Sequence, residues 1–355
     1  FGSGIAVNSL GHCHPELVKV LQNQSQLLWH TSNLYYNQDQ EDYARMLCEN
    51  SFADKIFFTN SGAEAIECGI KIIRNYFSSN KNLQRKNIIT FEGAFHGRTL
   101  GALSAQKNEK YSRGFEPLLS GFIQAPFNDL DSLTKLIDHE TAAILVEPIQ
   151  GEGGIRPVNL DFLKSLQKIC FDNKILLFLD EVQSGFGRSG KLFAHEWANI
   201  KPDLMAVAKG IGSGFPMGAC LSNNEACKGM IKGSHGSTYG GNPLSIAVGK
   251  EVLKIINTDN FLSNVDKVAR YFWHKLNKLK EIYEEIVEVR GAGLLLGIKT
   301  KSENIKISTA LINNKLLNVP ASDNVIRFSP PLIISFVEVD EAINIIDKTL
   351  KELDD

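Results

Sequence analysis

Between residues 55 and 257 the sequence alternates short apolar runs with segments whose apolar residues recur at helical spacing. The helical segments include DFLKSLQKICFDNK (161–174) and NPLSIAVGKEVLKIIN (242–257). The apolar runs read as strands: KIFFT (55–59), NIITF (87–91), AAILVEP (142–148), ILLFLD (175–180), DLMAVAK (203–209) and MGACLS (217–222). This alternation is typical of an α/β fold, in which a mostly parallel sheet is covered by helices on both faces.

The pattern changes after about residue 258. A long charged helix is predicted over 264–285, a strand over VEVRGAGLLLGIK (287–299) and a closing helix over 337–352. We therefore expect two domains, a large α/β domain over 1–257 and a smaller C-terminal α+β domain over 258–355. A chain of 355 residues with 43% hydrophobic content is long enough for one large core and a smaller one.

Charge and cysteine usage narrow the class of partner. The chain has 38 Lys and Arg against 40 Asp and Glu, a net charge of −2, so no basic field favours nucleic acid or an anionic membrane. The six cysteines show no CxxC spacing, which favours a reducing, cytoplasmic location over a disulfide framework. The chain begins at Phe1 within FGSGIAVNSLG, which reads as a strand, and we expect a further segment to precede it.

Two predicted strands end in charged residues. Asp180 follows ILLFL, and Lys209 follows LMAVA 29 residues later. Ligands of open α/β sheets bind outside the carboxyl ends of the strands, so both side chains are expected in one crevice. A desolvated lysine amine can condense with an aldehyde, and a carboxylate opposite it suits a protonated ring nitrogen. Pyridoxal phosphate offers both groups, so the cation expected beside Asp180 is the protonated ring nitrogen of this cofactor.

Other motifs offer places for a phosphate, an aromatic ring and a carboxylate. NSGAEA puts residues 61–63 at a strand-to-helix junction, where free amides attract an anion. HGSTYGGNP (235–243) supplies two hydroxyls, although it also fits an ordinary turn. In FEGAFHGRTL (91–100), Phe95 is either a core residue or a stacking face, and Arg98 adds a cation.

Two alternative sites are disfavoured. GHCHP (11–15) resembles a metal clamp, but such close neighbours seldom complete one coordination sphere, and we expect no metal. GSGIAVNSLG and GIGSGFPMG lack the G-x-G-x-x-G spacing after a strand that dinucleotide binding needs.

Six motifs in order carry a family resemblance over essentially the whole chain. NSGAEA, AFHGRTL, VEPIQGEGG, LDEVQSGFGR, AVAKGIGSGFPMGA and GSHGSTYGGNPL resemble the signature of the class III pyridoxal-phosphate-dependent aminotransferases. The resemblance implies the fold type I architecture, the cofactor pyridoxal 5'-phosphate, and a homodimer whose active sites are shared between subunits.

The resemblance also implies roles for single residues. Lys209 matches the lysine that binds the cofactor aldehyde, and Asp180 matches the partner of the ring nitrogen. The residues implied to bind the cofactor are Gly62, Ala63, Phe95, Asp180, Glu181, Val182, Gln183, Lys209 and Thr238; those implied to bind substrate are Arg98, Ser237, Glu152 and Arg327. Ala63 departs from the pattern, since many relatives carry Thr there, and only the backbone amide remains to contact the phosphate.

The activity implied is transfer of the δ-amino group of N-acetylornithine to 2-oxoglutarate, which yields N-acetylglutamate semialdehyde and glutamate. Ornithine, succinylornithine, succinyldiaminopimelate and 4-aminobutyrate are alternative donors on the same scaffold. An aminomutase, which needs no oxo acid, and a catalytically silent cofactor-binding relative are the competing classes. Retention of Lys209, Asp180 and Arg98 disfavours the silent relative.

Overall fold

A computed structural model describes residues 1–354 of the chain. Its strands are β1 Lys55–Thr59, β2 Asn87–Phe91, β3 Phe122–Ala125, β4 Thr141–Val146, β5 Ile149–Gln150, β6 Arg156–Pro157, β7 Leu176–Asp180, β8 Leu204–Val207, β9 Gly218–Ser222, β10 Ile286–Ala292, β11 Leu295–Thr300, β12 Val319–Ala321 and β13 Val325–Phe328. Six of these strands coincide with the six apolar runs of the sequence to within two residues at each end.

The helices are α1 Ser3–Ala6, α2 Pro15–Ser25, α3 Gln38–Glu49, α4 Gly62–Ser79, α5 Leu100–Gln106, α6 Glu109–Ser112, α7 Leu130–Leu136, α8 Leu160–Asn173, α9 Pro243–Ile256, α10 Asp259–Ile282, α11 Asn304–Asn313 and α12 Phe336–Asp354. Two short 3₁₀ helices span Ala194–Ala198 and Lys209–Ile211. Side-chain oxygens at the N-cap begin several of the helices, as Ser61 does for α4. Across the described residues, every helix is too short or too polar to cross a membrane.

The large sheet has seven strands in the order β1-β9-β8-β7-β4-β2-β3. Its central pairs are parallel, while β9 runs antiparallel to both of its neighbours, β1 and β8. Along β7, Leu177 and Leu179 pack into one core cluster and Leu176 and Phe178 into another. Both faces of the sheet are therefore covered, and the predicted mostly parallel mixed sheet with helices on both sides is confirmed.

The second sheet has four antiparallel strands in the order β10-β11-β13-β12. The single strand predicted over 287–299 is wrong, because β10 and β11 form a hairpin there. The chain reverses at Gly293, whose φ is 57° and whose added Cβ would lie 2.4 Å from the carbonyl oxygen of Arg188. Only glycine fits a left-handed turn packed this closely against backbone.

The first ten residues also differ from the sequence prediction. The expected strand is instead a short helical turn, α1, that contains left-handed residues such as Ile5 at φ 64°. Ser329 N–H donates to the carbonyl of Phe1, and Leu332 N–H donates to the carbonyl of Ser9. The beginning of the chain therefore lies against its C-terminal part, and the domain division at 257/258 stays a prediction.

Candidate active site

A cavity of about 380 Å³ opens at the carboxyl ends of β7 and β8. Parallel neighbouring strands end at the same edge of a sheet, so their last side chains converge there. Of the residues expected from the sequence, those lining the cavity are Gly62, Ala63, Phe95, Asp180, Val182, Gln183 and Lys209.

Asp180 is the last residue of β7 and is 4% exposed. Its Oδ2 lies 2.8 Å from His96 Nδ1, and its Oδ1 accepts a hydrogen bond from the backbone N–H of Val182 at 3.0 Å. The two donors offset the cost of removing the carboxylate from water and fix its orientation. The group is thus held ready for a cationic ligand in the cavity.

Lys209 begins the turn that follows β8. Its φ is 49°, a left-handed conformation that costs a non-glycine residue on the order of 1–2 kcal/mol and that commonly marks functional sites. The residue is half-buried, and it lines the cavity. Burial, followed by the nearby Arg327 guanidinium, lowers the pKa of the Lys209 amine to about 8. At pH 7 about a tenth of the amine is therefore unprotonated and able to act as a nucleophile or a base, a far larger share than for an ordinary lysine.

The N-terminus of α4 forms another wall of the cavity. The first backbone hydrogen bond of this helix runs from the N–H of Ala65 to the carbonyl of Ser61, so the amides of Gly62 and Ala63 precede the hydrogen-bonded turns. A Cβ added at Gly62 would lie 2.8 Å from a methyl group of Val182, so only glycine allows this approach. Free amides and the positive end of an 18-residue helix suit a phosphate.

Phe95 and Arg98 lie between β2 and α5. The Phe95 ring lines the cavity, and its N–H donates to Glu147 Oε2 at 3.0 Å. The exposed Arg98 guanidinium stacks 4.1 Å from the ring centroid of Tyr111, at the side of the cavity and outside its lining.

Arg327, on β13, is fully buried and reaches the same site from the small sheet. Its Nη1 donates to Glu152 Oε1 at 2.6 Å and to Gln183 Oε1 at 3.0 Å. Its Nε and Nη2 have no partner among the described residues. The paired arginine thus keeps two nitrogens that are free to donate hydrogen bonds to a second carboxylate.

Besides Arg98, Glu152 and Arg327, three further expected residues do not line the cavity within this chain. Glu181 points the other way: its carboxylate lies 2.8 Å from His195 Nδ1 and accepts the backbone N–H groups of 194 and 195. Ser237 Oγ accepts a hydrogen bond from Asn60 Nδ2 at 3.3 Å, next to the cavity, and Thr238 is exposed. Glu181 therefore supports the local fold, and the two hydroxyls do not complete the site of their own chain.

GHCHP makes no recognisable metal site. His12 and Cys13 are both exposed. Within residues 1–354, no group of three or more His, Cys, Asp or Glu side chains is arranged to hold a metal ion.

Sequence reasoning missed two residues of the site, His96 and Glu147. His96 is the direct partner of Asp180, and Glu147 lines the cavity beside it. The rule that singled out Asp180, a carboxylate at the end of a buried strand, applies equally to Glu147 after AAILV. No short-range signal pairs His96 with Asp180, because 84 positions separate them.

The residues present fit pyridoxal phosphate. A helix terminus with free amides suits the phosphate, the Phe95 and Val182 side chains offer two apolar walls, and the buried Asp180 suits a ring cation. Lys209, with its lowered pKa, supplies the amine.

The comparisons with known proteins agree with this geometry. The family model "Aminotransferase class-III" matches residues 1–350. An acetylornithine aminotransferase of Mesorhizobium japonicum is 52% identical over 356 residues, covering 100% of this chain and 89% of that protein. A solved ornithine aminotransferase from Toxoplasma gondii, whose active site holds PLP at partial occupancy, superposes with a TM-score of 0.95 at 30% identity, covering 99% of this chain and 86% of that one. An acetylornithine aminotransferase from Elizabethkingia anophelis gives 0.88 at 32% identity, covering 99% and 88%.

The match to the family model spans nearly the whole chain, and the cavity residues fit the cofactor of that family. The chain therefore belongs to the class III, pyridoxal-phosphate-dependent aminotransferases.

Proposed function

We propose that this enzyme transfers the δ-amino group of N2-acetyl-L-ornithine to 2-oxoglutarate, giving N-acetyl-L-glutamate 5-semialdehyde and L-glutamate, a step of arginine biosynthesis. The observation that carries the proposal is the 52% identity, over the full chain, to a relative named for this donor. The pairing of Arg327 with Glu152 supports it, because an enzyme that alternates between a donor and a dicarboxylic oxo acid needs a carboxylate clamp that can be withdrawn.

Each residue of the cavity has a distinct task in this reaction. Pyridoxal phosphate, when bound, supplies the aldehyde that carries the amino group and a ring that accepts electron density. The amides of Gly62 and Ala63 hold its phosphate, and Asp180 keeps its ring nitrogen protonated. Lys209 Nζ would take a proton from the donor carbon that bears the amino group and deliver it to the carbon of the cofactor's aldehyde group.

Substrate carboxylates meet two arginines. Arg98, at the exposed side of the cavity, holds the α-carboxylate of the donor and the distal carboxylate of 2-oxoglutarate. Arg327 stays paired with Glu152 while the donor is bound, and the pair opens so that the guanidinium binds the second carboxylate of the oxo acid.

Half-reactions measured separately by single-turnover kinetics test these assignments. Arg98→Ala should weaken both halves by roughly 1.5–3 kcal/mol each. Arg327→Ala should weaken mainly the oxo-acid half, since its pairing with Glu152 removes it from the donor half. Arg45→Ala, at an exposed arginine of α3, is the control. Equal damage to both halves by Arg327→Ala would contradict the withdrawn clamp.

A panel of amino donors with 2-oxoglutarate tests the substrate. N-acetylornithine should give the highest kcat/KM among ornithine, succinylornithine, succinyldiaminopimelate and 4-aminobutyrate. Omission of the oxo acid should stop turnover, whereas an aminomutase would continue without it. If another donor gave a kcat/KM at least tenfold higher, roughly 1.4 kcal/mol in transition-state binding, that donor and not N-acetylornithine would be the substrate.

The enzyme is further proposed to act as a cytoplasmic homodimer with shared active sites. The segment 27–36 leaves large apolar side chains in solvent, including Leu34 at 82% and Tyr35 at 70% exposure, and patches of this kind mark protein interfaces. Thr238 would then reach the phosphate of the other subunit. The six described cysteines are free thiols, which suits a reducing compartment.

A further inference from the structure

Glu147 and Asp180 stand side by side at one edge of the large sheet. β4 and β7 are parallel, and Val146 pairs with Leu179, so the next residue of each strand falls at the same level. Adjacent strands lie about 4.8 Å apart, which brings the two carboxyl groups into one small region. Both side chains line the cavity.

The two carboxyl groups hold consecutive residues of one turn. Glu147 Oε2 accepts the backbone N–H of Phe95 at 3.0 Å, and Asp180 Oδ2 lies 2.8 Å from Nδ1 of His96. The backbone N–H of His96 is bound in turn to Gln106 Oε1 at 3.0 Å. The turn between β2 and α5, which presents the Phe95 ring to the cavity, is thus attached to two neighbouring strand ends.

The two groups differ in their surroundings. Asp180 faces an imidazole and a backbone amide, whereas the hydrogen bond shown for Glu147 comes from one neutral amide. Glu147 is 5% exposed, and burial followed by the charge of Asp180 raises its pKa well above the ordinary value, despite the opposing effects of the Phe95 amide and of Lys209. Burial and a nearby like charge both favour the protonated form of the Glu147 carboxyl group.

We propose that Glu147 is a positioning residue that fixes the Phe95 wall of the cavity as a neutral, hydrogen-bonding carboxylic acid, leaving Asp180 as the charged member of the pair. This role of Glu147 rests on the proposed function, because the Phe95 wall matters for catalysis only if the cavity binds the cofactor. Glu147 acts on substrate and cofactor indirectly, by holding the Phe95 peptide. The negative charge of the pair stays on Asp180, which also binds His96.

The test compares two neutral replacements of similar size in the holoenzyme. Glu147→Gln keeps an acceptor oxygen for the Phe95 amide, whereas Glu147→Met removes it. Three quantities are measured: hydrogen exchange of the Phe95 amide by mass spectrometry, visible circular dichroism of the bound cofactor, and kcat/KM between pH 6 and 9.

E147Q should exchange at the wild-type rate, keep the dichroism and the pH profile, and retain kcat/KM within about threefold. E147M should exchange at least tenfold faster, alter the dichroism and lose about 10- to 100-fold in kcat/KM, as expected for an amide left unsatisfied. Hydrogen exchange needs no substrate, so it tests the positioning role independently of turnover. Failure of every donor in the panel would contradict the proposed function and would leave the exchange result valid.

Two results overturn the proposal. If E147Q loses tenfold or more in kcat/KM or shifts the pH profile, Glu147 acts as an anion. If E147M leaves Phe95 exchange unchanged, Glu147 does not hold the turn. Should E147M fail to fold, E147Q decides alone: wild-type exchange, dichroism and pH profile support the neutral acceptor, and a change in any of them overturns it.

Discussion

The floor and the rim of the active-site cavity are built in opposite ways. At the floor, Asp180 and His96 are buried and bound to each other, and the half-buried Lys209 faces the cavity. At the rim, Ser237 accepts hydrogen bonds from Asn60 of the cavity lining and from Asn33. The two segments joined there, 27–36 and 235–239, leave large apolar side chains in solvent, such as Trp29 at 61% and Tyr239 at 62% exposure.

The floor of the cavity is complete within one chain, whereas the rim leaves apolar surface uncovered. Asp180 and His96 already have partners, so they need little reorganisation when a ligand arrives. The rim exposes apolar area that would gain about 25 cal/mol for each Å² removed from water, which favours cover by a second copy. We expect changes at the floor to abolish chemistry in each chain, and changes at the rim to be rescued by a partner.

The largest effect is expected from Lys209→Ala. The variant should still bind pyridoxal phosphate but lose at least about 10⁴-fold in kcat, because the same amine binds the aldehyde and moves the proton. Steady-state transamination and the visible spectrum of the purified protein measure the two parts. Lys201→Ala, at an exposed lysine, is the control. Full activity of Lys209→Ala would show that Lys209 neither binds the aldehyde nor moves the proton.

Asp180→Asn should lower kcat by about 100- to 1000-fold while cofactor is retained. The amide oxygen can still accept from His96, so the fold persists, but a neutral group cannot keep the ring nitrogen protonated. Asp172→Asn, at a half-exposed carboxylate of α8, serves as the matched control. An unchanged kcat would show that the strand-end carboxylate has another role.

The buried amine should also leave a signature in stability. The pKa of Lys209 is lowered from 10.5 to about 8, so the folded apoenzyme binds fewer protons than the unfolded chain between these values. Stability therefore rises with pH across this window, and below pH 8 the buried ammonium costs up to about 3 kcal/mol, less where cavity water screens it.

Lys209→Met should accordingly make the apoenzyme more stable than the wild type at pH 7, by a margin that shrinks from pH 8 to 10.5. Denaturant unfolding at several pH values measures the difference. A margin that stays constant over this range would mean that the amine titrates normally.

The smallest expected effect concerns the rim and is a gain. Lys209→Ala chains and chains with Ser237→Leu and Thr238→Leu are each inactive when alone, and are co-refolded. If the loop acts across the interface, each hybrid dimer holds one intact site, and random pairing restores about a quarter of wild-type activity. Differential tags confirm that hybrids form. Hybrids without activity would place the loop in its own chain and remove the argument for a shared site.

Periodicity in the sequence was enough to place six of the seven strands of the large sheet, all but β3, and the charged residues at the ends of two of them. Asp180 and Lys209 could be found because a parallel sheet collects its strand ends at one edge, whatever the details of packing. The hairpin at 286–300 was not found, since the alternation continues through the turn and only the left-handed Gly293 interrupts it.

Tertiary structure decided which charged neighbours share the cavity. Asp180 and Glu181 are adjacent in the chain, yet one carboxylate meets His96 at the cavity and the other meets His195 away from it. Arg327 joins Glu152 across 175 positions. Composition and periodicity determine which elements form and where they end, because these depend on short-range patterns. The packing of distant elements alone determines which side chain receives each buried charge, because hydrogen bonds and desolvation depend on distance in space and are indifferent to distance along the chain.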